Sequence, residues 1–376
     1  MSLPPPEALG SEASMTIKWR VGDAVPWFQA PVLNGNERFH LDSVGGLHMV
    51  LLFVGSAGAE RSRAALRLLA DNRDLFDDRR ACFFGVTCDP EDAAANRIAH
   101  QPPGIRWFLD YDGAVTGRYG ATRDKPFWLL LDPMLRVAAV AELADGGRIM
   151  ATLRGLAGAA SIDGPAPVLV VPNVFEPDLC RALIARYETQ GGQPSGFMRD
   201  VNGKTTGVMD PRFKRRFDHH IEDEAVRDAI RRRLARALNP MIARCFQFRA
   251  TRIERFMVAC YDGDGDGGYF RAHRDNSTAG TRHRRFACTI NLNAGDYEGG
   301  ELVFPEFGPR RYRAPTGGAV VFSCSLLHEA RPVTRGKRYA CLPFLYDEDA
   351  ARQREEIARS NRVDEALAGY RATGGQ

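Results

Sequence analysis

The chain has 376 residues, 44% of them hydrophobic and 26% charged, with 51 basic and 47 acidic side chains for a formal net charge of +4. This is ordinary globular composition, and the length is sufficient for two domains. No apolar run approaches the roughly 20 residues that span a bilayer.

Residues 1–14 (MSLPPPEALGSEAS) lack the basic and apolar regions of a signal peptide, so 1–15 reads as a disordered leader, with Met15 as an alternative start. The expected location is cytoplasmic. The cysteines (Cys82, Cys88, Cys180, Cys245, Cys260, Cys288, Cys324 and Cys341) form no Cys-x-x-Cys pair, and several sit in apolar runs. Buried free thiols in a reducing compartment are the expectation.

In the first half, HMVLLFVG (48–55) predicts a buried strand and 59–76 an amphipathic helix, followed by strands at 81–88, 106–110, 126–132 and 135–143. This rhythm predicts an α/β layered domain over 16–160. SIDGPAP (161–167), rich in Pro, Gly and small residues, is the expected linker. The second half, 168–350, opens with VLVVPNVF and predicts helices over about 176–189 and 222–238. Short strands with Gly and Pro turns follow in RIERFMVACY, FACTINLN, GELVFPEF, GAVVFSC and RYACLPFLY, which predicts a jelly-roll barrel. Residues 351–376 read as a charged tail.

Four residues concentrate the chemistry: His273 and Asp275 in YFRAHRDN, then His328 and Arg338 in LLHEARPVTRGKRY. Two imidazoles and one carboxylate suit one face of an Fe(II) octahedron and leave positions open for substrate and oxygen. Arg338 carries a fixed charge on a planar fork suited to a carboxylate. The set points to oxygen activation at iron with a carboxylate co-substrate. Lys337 is the alternative carboxylate binder, but strand alternation turns it to the opposite face, and only arginine forms a bidentate pair. DGDGDGG (262–268) begins like a calcium loop, but the position that requires a bidentate Glu is His273. A flexible acidic turn is expected instead, forming with 276–285 the lip of the substrate opening. KRR (214–216), RRR (231–233), RHRR (282–285) and RRYR (310–313) read as solvated faces and loop tips, with RHRR the candidate for substrate contact.

With these motifs in order, residues 165–347 resemble the prolyl 4-hydroxylase branch of the Fe(II)/2-oxoglutarate-dependent oxygenases. MVACYDGDGDGGYFRAHRDN resembles the hypoxia-sensing prolyl hydroxylases in particular, and YEGGELVFPEFG and APTGGAVVFSCSLLHEARPVTRGKRY match the family's later strands. The resemblance implies a double-stranded β-helix, with iron on His273, Asp275 and His328. It also implies that Arg338 pairs with the distal carboxylate of 2-oxoglutarate, that Tyr261 hydrogen-bonds in the same pocket and that Leu302 lines it. Relatives often benefit from ascorbate. Where the hypoxia-sensing enzymes carry a tyrosine on the strand after the metal loop, this chain has Asn291. The co-substrate pocket is therefore not a copy of theirs.

The first half resembles the peroxiredoxin-like branch of the thioredoxin fold over about 19–145, through VGDAVPWFQAPVLNGNERFHL, VLLFVG, GVTCDP and RYGATRDKPFWLLLD. A peroxiredoxin needs a reactive thiolate at the start of the helix after the first long strand. Here that stretch is SAGAERSRAAL, without cysteine between Val50 and Ala81, so peroxidase chemistry by the usual route is not expected.

The leading functional reading is hydroxylation of an unactivated C–H, on a prolyl or other residue of a peptide or protein. The prolyl part is implied by the resemblance alone. A small-molecule hydroxylase is the alternative within the same chemistry. Nucleic-acid demethylation is disfavoured, because those relatives carry a second arginine where this chain has Phe344. A different class of reading makes the protein a redox or oxygen-sensing adaptor whose redoxin domain is a docking module. That domain is also the candidate surface for homo-oligomers, and no membrane partner is expected.

Overall fold

A computed structural model describes residues 17–158, 164–201 and 204–359. The chain divides into two compact units, residues 1–160 and 161–376. The leader, the first part of the linker and the end of the tail lie outside the described residues.

The first unit is built on His48–Gly55, apolar at nearly every position. It pairs in parallel with Ala81–Thr87 and antiparallel with Phe127–Leu131, with Ile105–Leu109 and Val137–Glu142 at the edges of the five-stranded sheet. A strand apolar on both faces must be covered on both, and the period of two divides it accordingly. Met49, Leu51 and Phe53 face one core with Phe84, Phe108 and Tyr119. Val50, Leu52 and Val54 face the other, with Trp107 and Trp128 and the helices Glu60–Asp71 and Gly146–Gly158. The helix 146–158 escapes the sequence reading because it opens on two glycines, residues of poor helix propensity, and is held by burial of Ile149, Met150 and Leu153. This is a thioredoxin-like fold.

Where a redoxin would present its thiolate, this unit has a buried carboxylate. Asp92, without exposed surface, accepts the backbone N–H groups of Ala57 (2.7 Å) and Gly58 (3.2 Å) at the entry to the 60–71 helix. Thr87 Oγ1 donates to it and Arg97 lies 3.4 Å away. The amides of the turn that leads into the helix are thereby satisfied from within the chain.

The second unit stacks two sheets. The larger runs Arg252–Glu254, Phe344–Tyr346, Phe286–Asn291, Lys337–Cys341, Met257–Asp262, Phe217–His220 and Gln193–Pro194, with Ala319–Ser323 and Leu169–Val171 joined through Phe286–Asn291. The smaller runs Lys214–Arg215, Tyr269–His273, His328–Ala330, Leu302–Val303 and Arg311–Tyr312. Alternation again sorts the side chains. Met257, Ala259 and Tyr261 point between the sheets with Phe322, Ala340 and Leu302. Val258, Cys260, Tyr339 and Cys341 point outward under the helices Pro177–Gln190 and Glu224–Arg233. This is the double-stranded β-helix, or jelly-roll.

The helix expected over 222–238 is regular only to Arg233. It widens into a π turn at Leu234–Leu238 and continues as Asn239–Phe246. Pro240 has no N–H for the next rung of the helix, which gives the break a local cause. The tail turns helical before residue 351, at Glu348–Arg359. The cysteines are free, Cys245 exposed and the others buried. Among the described residues no helix is long and apolar enough to cross a membrane.

Asp92→Ala should destabilise the first unit by about 3 kcal/mol, because several buried donors lose one charged acceptor. All four tryptophans (Trp19, Trp27, Trp107 and Trp128) lie in this unit, so the fluorescence midpoint in denaturant reports it selectively. An unchanged midpoint would contradict the assigned role of Asp92.

Candidate active site

The smaller sheet brings the metal-ligand candidates together. His273 and His328 are direct cross-strand partners, with ring centroids 4.3 Å apart. Each imidazole donates its Nδ1–H to a backbone carbonyl, His273 to Arg271 (2.7 Å) and His328 to Leu326 (3.0 Å). That leaves both Nε2 lone pairs inward. Asp275, just past the strand end, reaches between them, with carboxylate oxygens 3.5 Å from His273 Nε2 and 3.4 Å from His328 Nε2. The three donor atoms lie within 4.8 Å of one another.

Burial, then the facing His273, push the His328 imidazole down to about 4, so it is neutral with a free lone pair at ordinary pH. Burial alone would raise Asp275, but His328, His273 and Arg284 hold it well below the usual carboxylate range. Two imidazole nitrogens and an ionised carboxylate on one side of a shared space fit a ferrous ion. Phe270, stacked on His273 at 3.5 Å, and Phe322, 4.5 Å from His328, wall the imidazoles with apolar rings.

Buried charges brace the ligand turns. Arg274, between the two ligands of its own turn, pairs with Glu306 (2.7 and 3.1 Å) and bonds Ser325 O. Glu306 also accepts the N–H of Leu327, the residue before His328. One ion pair therefore holds both ligand-bearing segments. On the other side, Arg284 forms a two-pronged pair with Glu254 and donates to Asp275 O at 3.2 Å, while His283 bonds the same carboxylate at 2.7 Å. His283 and Arg284 thus face inward onto Glu254, which corrects the reading of RHRR as a solvated loop tip. In the acidic turn, Asp262 pairs with Lys337 and Asp266 with Arg215.

Arg338 lies directly across from Tyr261 in the larger sheet, its guanidinium carbon 4.8 Å from the ring centre. It is 2% exposed, and neither Nε nor Nη1 has a partner among the described residues. A buried guanidinium without an anion is costly, so Arg338 is a residue that can take one. Lys337 faces out, as alternation requires. Leu302 lies in the same buried cluster as Tyr261 and pairs with Ala330. The side-chain amide of Asn291 is committed to Ala314 O at 2.7 Å.

Behind Tyr261 is a group that the sequence reading placed on the surface. In KRR, Lys214 and Arg216 are buried and only Arg215 points out. Arg216 pairs with Asp218 through two 2.7 Å bonds and reaches the Tyr261 hydroxyl at 3.4 Å, while Lys214 donates to Ser195 Oγ at 2.7 Å. Burial, then Arg216, hold the Lys214 amine well below its ordinary value. The available signal was the spacing, with two cations and one acid at alternate strand positions (214, 216 and 218).

Two outcomes are expected. Glu306→Ala leaves Arg274 charged and buried, and should lower the stability of this unit by about 3 kcal/mol. The double variant Arg274→Met/Glu306→Leu should recover most of that loss in calorimetry. Burial opposes ionisation of Asp218, but Arg216 and Lys214 outweigh it and bring its pKa down to about 2. A depressed folded pKa contributes stability above the unfolded value of 3.8, and this is lost as pH falls toward 2. The loss should be on the order of 2 kcal/mol and absent in Asp218→Asn.

Residues 256–346 match the 2OG-Fe(II) oxygenase superfamily and residues 21–150 match the AhpC/TSA family. A "PKHD-type hydroxylase" of Verminephrobacter eiseniae is 35% identical over 120 residues, covering 30% of this chain and 52% of that protein. The chain spans about half the length of the curated relatives it matches. Among solved structures, a Trichoplax adhaerens prolyl hydroxylase in complex with a hypoxia inducible factor peptide fragment aligns at 20% identity and a TM-score of 0.39. That alignment covers 50% of this chain and 86% of that one. Mycobacterium tuberculosis peroxidoxin BcpB aligns at 22% identity and a TM-score of 0.30, covering 37% and 98%. Each of the two units thus carries a segment that matches one family, AhpC/TSA in the thioredoxin-like unit and the 2OG-Fe(II) oxygenase superfamily in the jelly-roll unit.

Proposed function

We propose that the protein is an Fe(II)- and 2-oxoglutarate-dependent dioxygenase that hydroxylates an unactivated C–H bond, on a prolyl or other residue of a peptide or protein. The observation that carries this reading is the pairing of the converged His273, Asp275 and His328 donors with the buried, unpartnered guanidinium of Arg338. The superfamily match over the same segment and the hydroxylase named among its relatives support it. Peptide over small molecule is the finer part of the proposal.

Bound at the three donors, ferrous iron with 2-oxoglutarate would supply the oxygen activation, the 2-oxo acid leaving as succinate and CO2. The chain's own residues do the rest. The carbonyls of Arg271 and Leu326 hold the two imidazoles in the tautomer that offers Nε2. Asp275 supplies the ligand set's negative charge. Arg338 takes the distal carboxylate with two donors that have no other partner among the described residues, and Tyr261 keeps the guanidinium plane in place. Phe270, Phe304 and Phe322 keep water from the imidazoles. His273 and Asp275 are the more exposed ligands, so substrate approaches from their side.

The test is succinate formation by the anaerobically purified, Fe(II)-loaded protein after oxygen is restored, with ascorbate present. His273→Ala should abolish turnover, and Arg338→Ala should raise the KM for 2-oxoglutarate by about tenfold to a hundredfold, the cost of one lost charged pair. Stimulation by a proline-containing peptide library rather than by free amino acids would support the peptide substrate. A wild-type protein that neither retains iron nor forms succinate would overturn the proposal.

A further inference from the structure

The co-substrate pocket has a second uncommitted donor. The Tyr297 hydroxyl is buried, in a residue only 4% exposed, and has no hydrogen-bond partner among the described residues. Tyr297 belongs to the buried cluster that contains Tyr261, Leu302, Ala330 and Val333. Its ring lies beside Arg338. A Cβ placed on Gly300 would meet Arg338 Cδ at 2.9 Å, Val333 Cγ2 at 2.9 Å and Tyr297 Cε2 at 3.4 Å, so the guanidinium stem and the phenol ring border one small space. Gly300 is glycine for this reason as well as for its φ of +70°.

The turn that delivers the ring is fixed. Arg313 lies over the Tyr297 ring at 4.6 Å and bonds Gly299 O and Glu301. Asn291 carries no phenol and already has a backbone partner. It pairs across the sheet with Ala340, which shares its strand face with Arg338, so position 291 borders the same interior. Its amide nitrogen donates to Ala314 O, and since a carbonyl accepts only from N–H, the amide orientation is set. What remains is one amide N–H and Oδ1, an acceptor without a partner among the described residues.

We propose that Tyr297 donates its hydroxyl to the distal carboxylate of the dicarboxylate co-substrate, beside Arg338, and is the phenol that position 291 lacks. The inference rests on the reading of the pocket as a 2-oxoglutarate site. It assigns Tyr297 to co-substrate selection, because its hydroxyl meets the ligand only when the far carboxylate is present.

The test uses the full chain loaded with Mn(II) under anaerobic conditions, titrated calorimetrically with 2-oxoglutarate and with 2-oxopentanoate, which has a methyl group in place of the distal carboxylate. A hydrogen bond to a charged group implies that Tyr297→Phe binds 2-oxoglutarate about tenfold to a hundredfold more weakly. Its affinity for 2-oxopentanoate and for Mn(II) should equal that of wild type. Its melting temperature without ligand should be unchanged or higher, since an unpartnered buried hydroxyl is lost. Equal 2-oxoglutarate affinity in wild type and variant would overturn the role of Tyr297 and leave the proposed function standing. So would equal weakening of both ligands, which marks a merely structural residue. No 2-oxoglutarate binding by wild type would instead remove the proposed function and this inference with it.

Discussion

Everything at the site depends on one strand register, the antiparallel pairing that sets His273 across from His328. Side chains alternate along a strand, so a slip of one residue would turn one imidazole out of the site and leave no donor set to close. The pairing carries an irregularity between Phe270 and His273, so backbone hydrogen bonds alone do not secure it. Arg274 and Glu306 secure it from one side, tying the turn after His273 to the backbone just before His328. Arg284 and Glu254 secure it from the other, through the carbonyl of Asp275.

Three buried ion pairs so close together are poor instruments for stability. Desolvation consumes most of what the attraction returns, and apolar residues of the same volume would serve as well. Their use here is geometric. A guanidinium bound at both prongs has one orientation, so Arg216 holds its position beside Tyr261, and Arg274 and Arg284 hold theirs beside the ligands. Against these satisfied groups, Arg338 and the Tyr297 hydroxyl, without hydrogen-bond partners among the described residues, stand out. Arg338, unlike Arg216, Arg274 and Arg284, has no acid beside it among the described residues and can take an anion.

The first unit makes the complementary choice. A redoxin uses the positive end of its first long helix to stabilise a thiolate. Here Asp92, an internal carboxylate, takes the amides of Ala57 and Gly58 at that helix entry. The fold persists because its two cores, on either face of His48–Gly55, do not depend on the lost thiol.

Short-range order made much of this chain legible. The spacing of His273 and Asp275, with a later His328 and Arg338, carried the site because those residue types have few other uses together. Alternation, together with the bidentate fork of arginine, separated Arg338 from Lys337, and continuous apolar runs marked the central strands of both units. The helix 146–158 did not show, because its stability comes from packing rather than propensity. Nor did the burial of Lys214, Arg216, His283 and Arg284, which read as surface clusters. A cation is exposed or buried according to whether an acid waits for it, and the acids are Glu254, Asp218 and Glu306, the last 32 residues from Arg274. The small space that Tyr297 and Arg338 border beside Gly300 likewise exists only in the folded chain. The sequence by itself therefore determined which chemistry this chain carries, because ligand type and strand period are local. Only the tertiary structure decided which charges are spent on one another and which are left open, because that depends on packing that brings Arg274 to Glu306 and Arg284 to Glu254 across about 30 residues of chain.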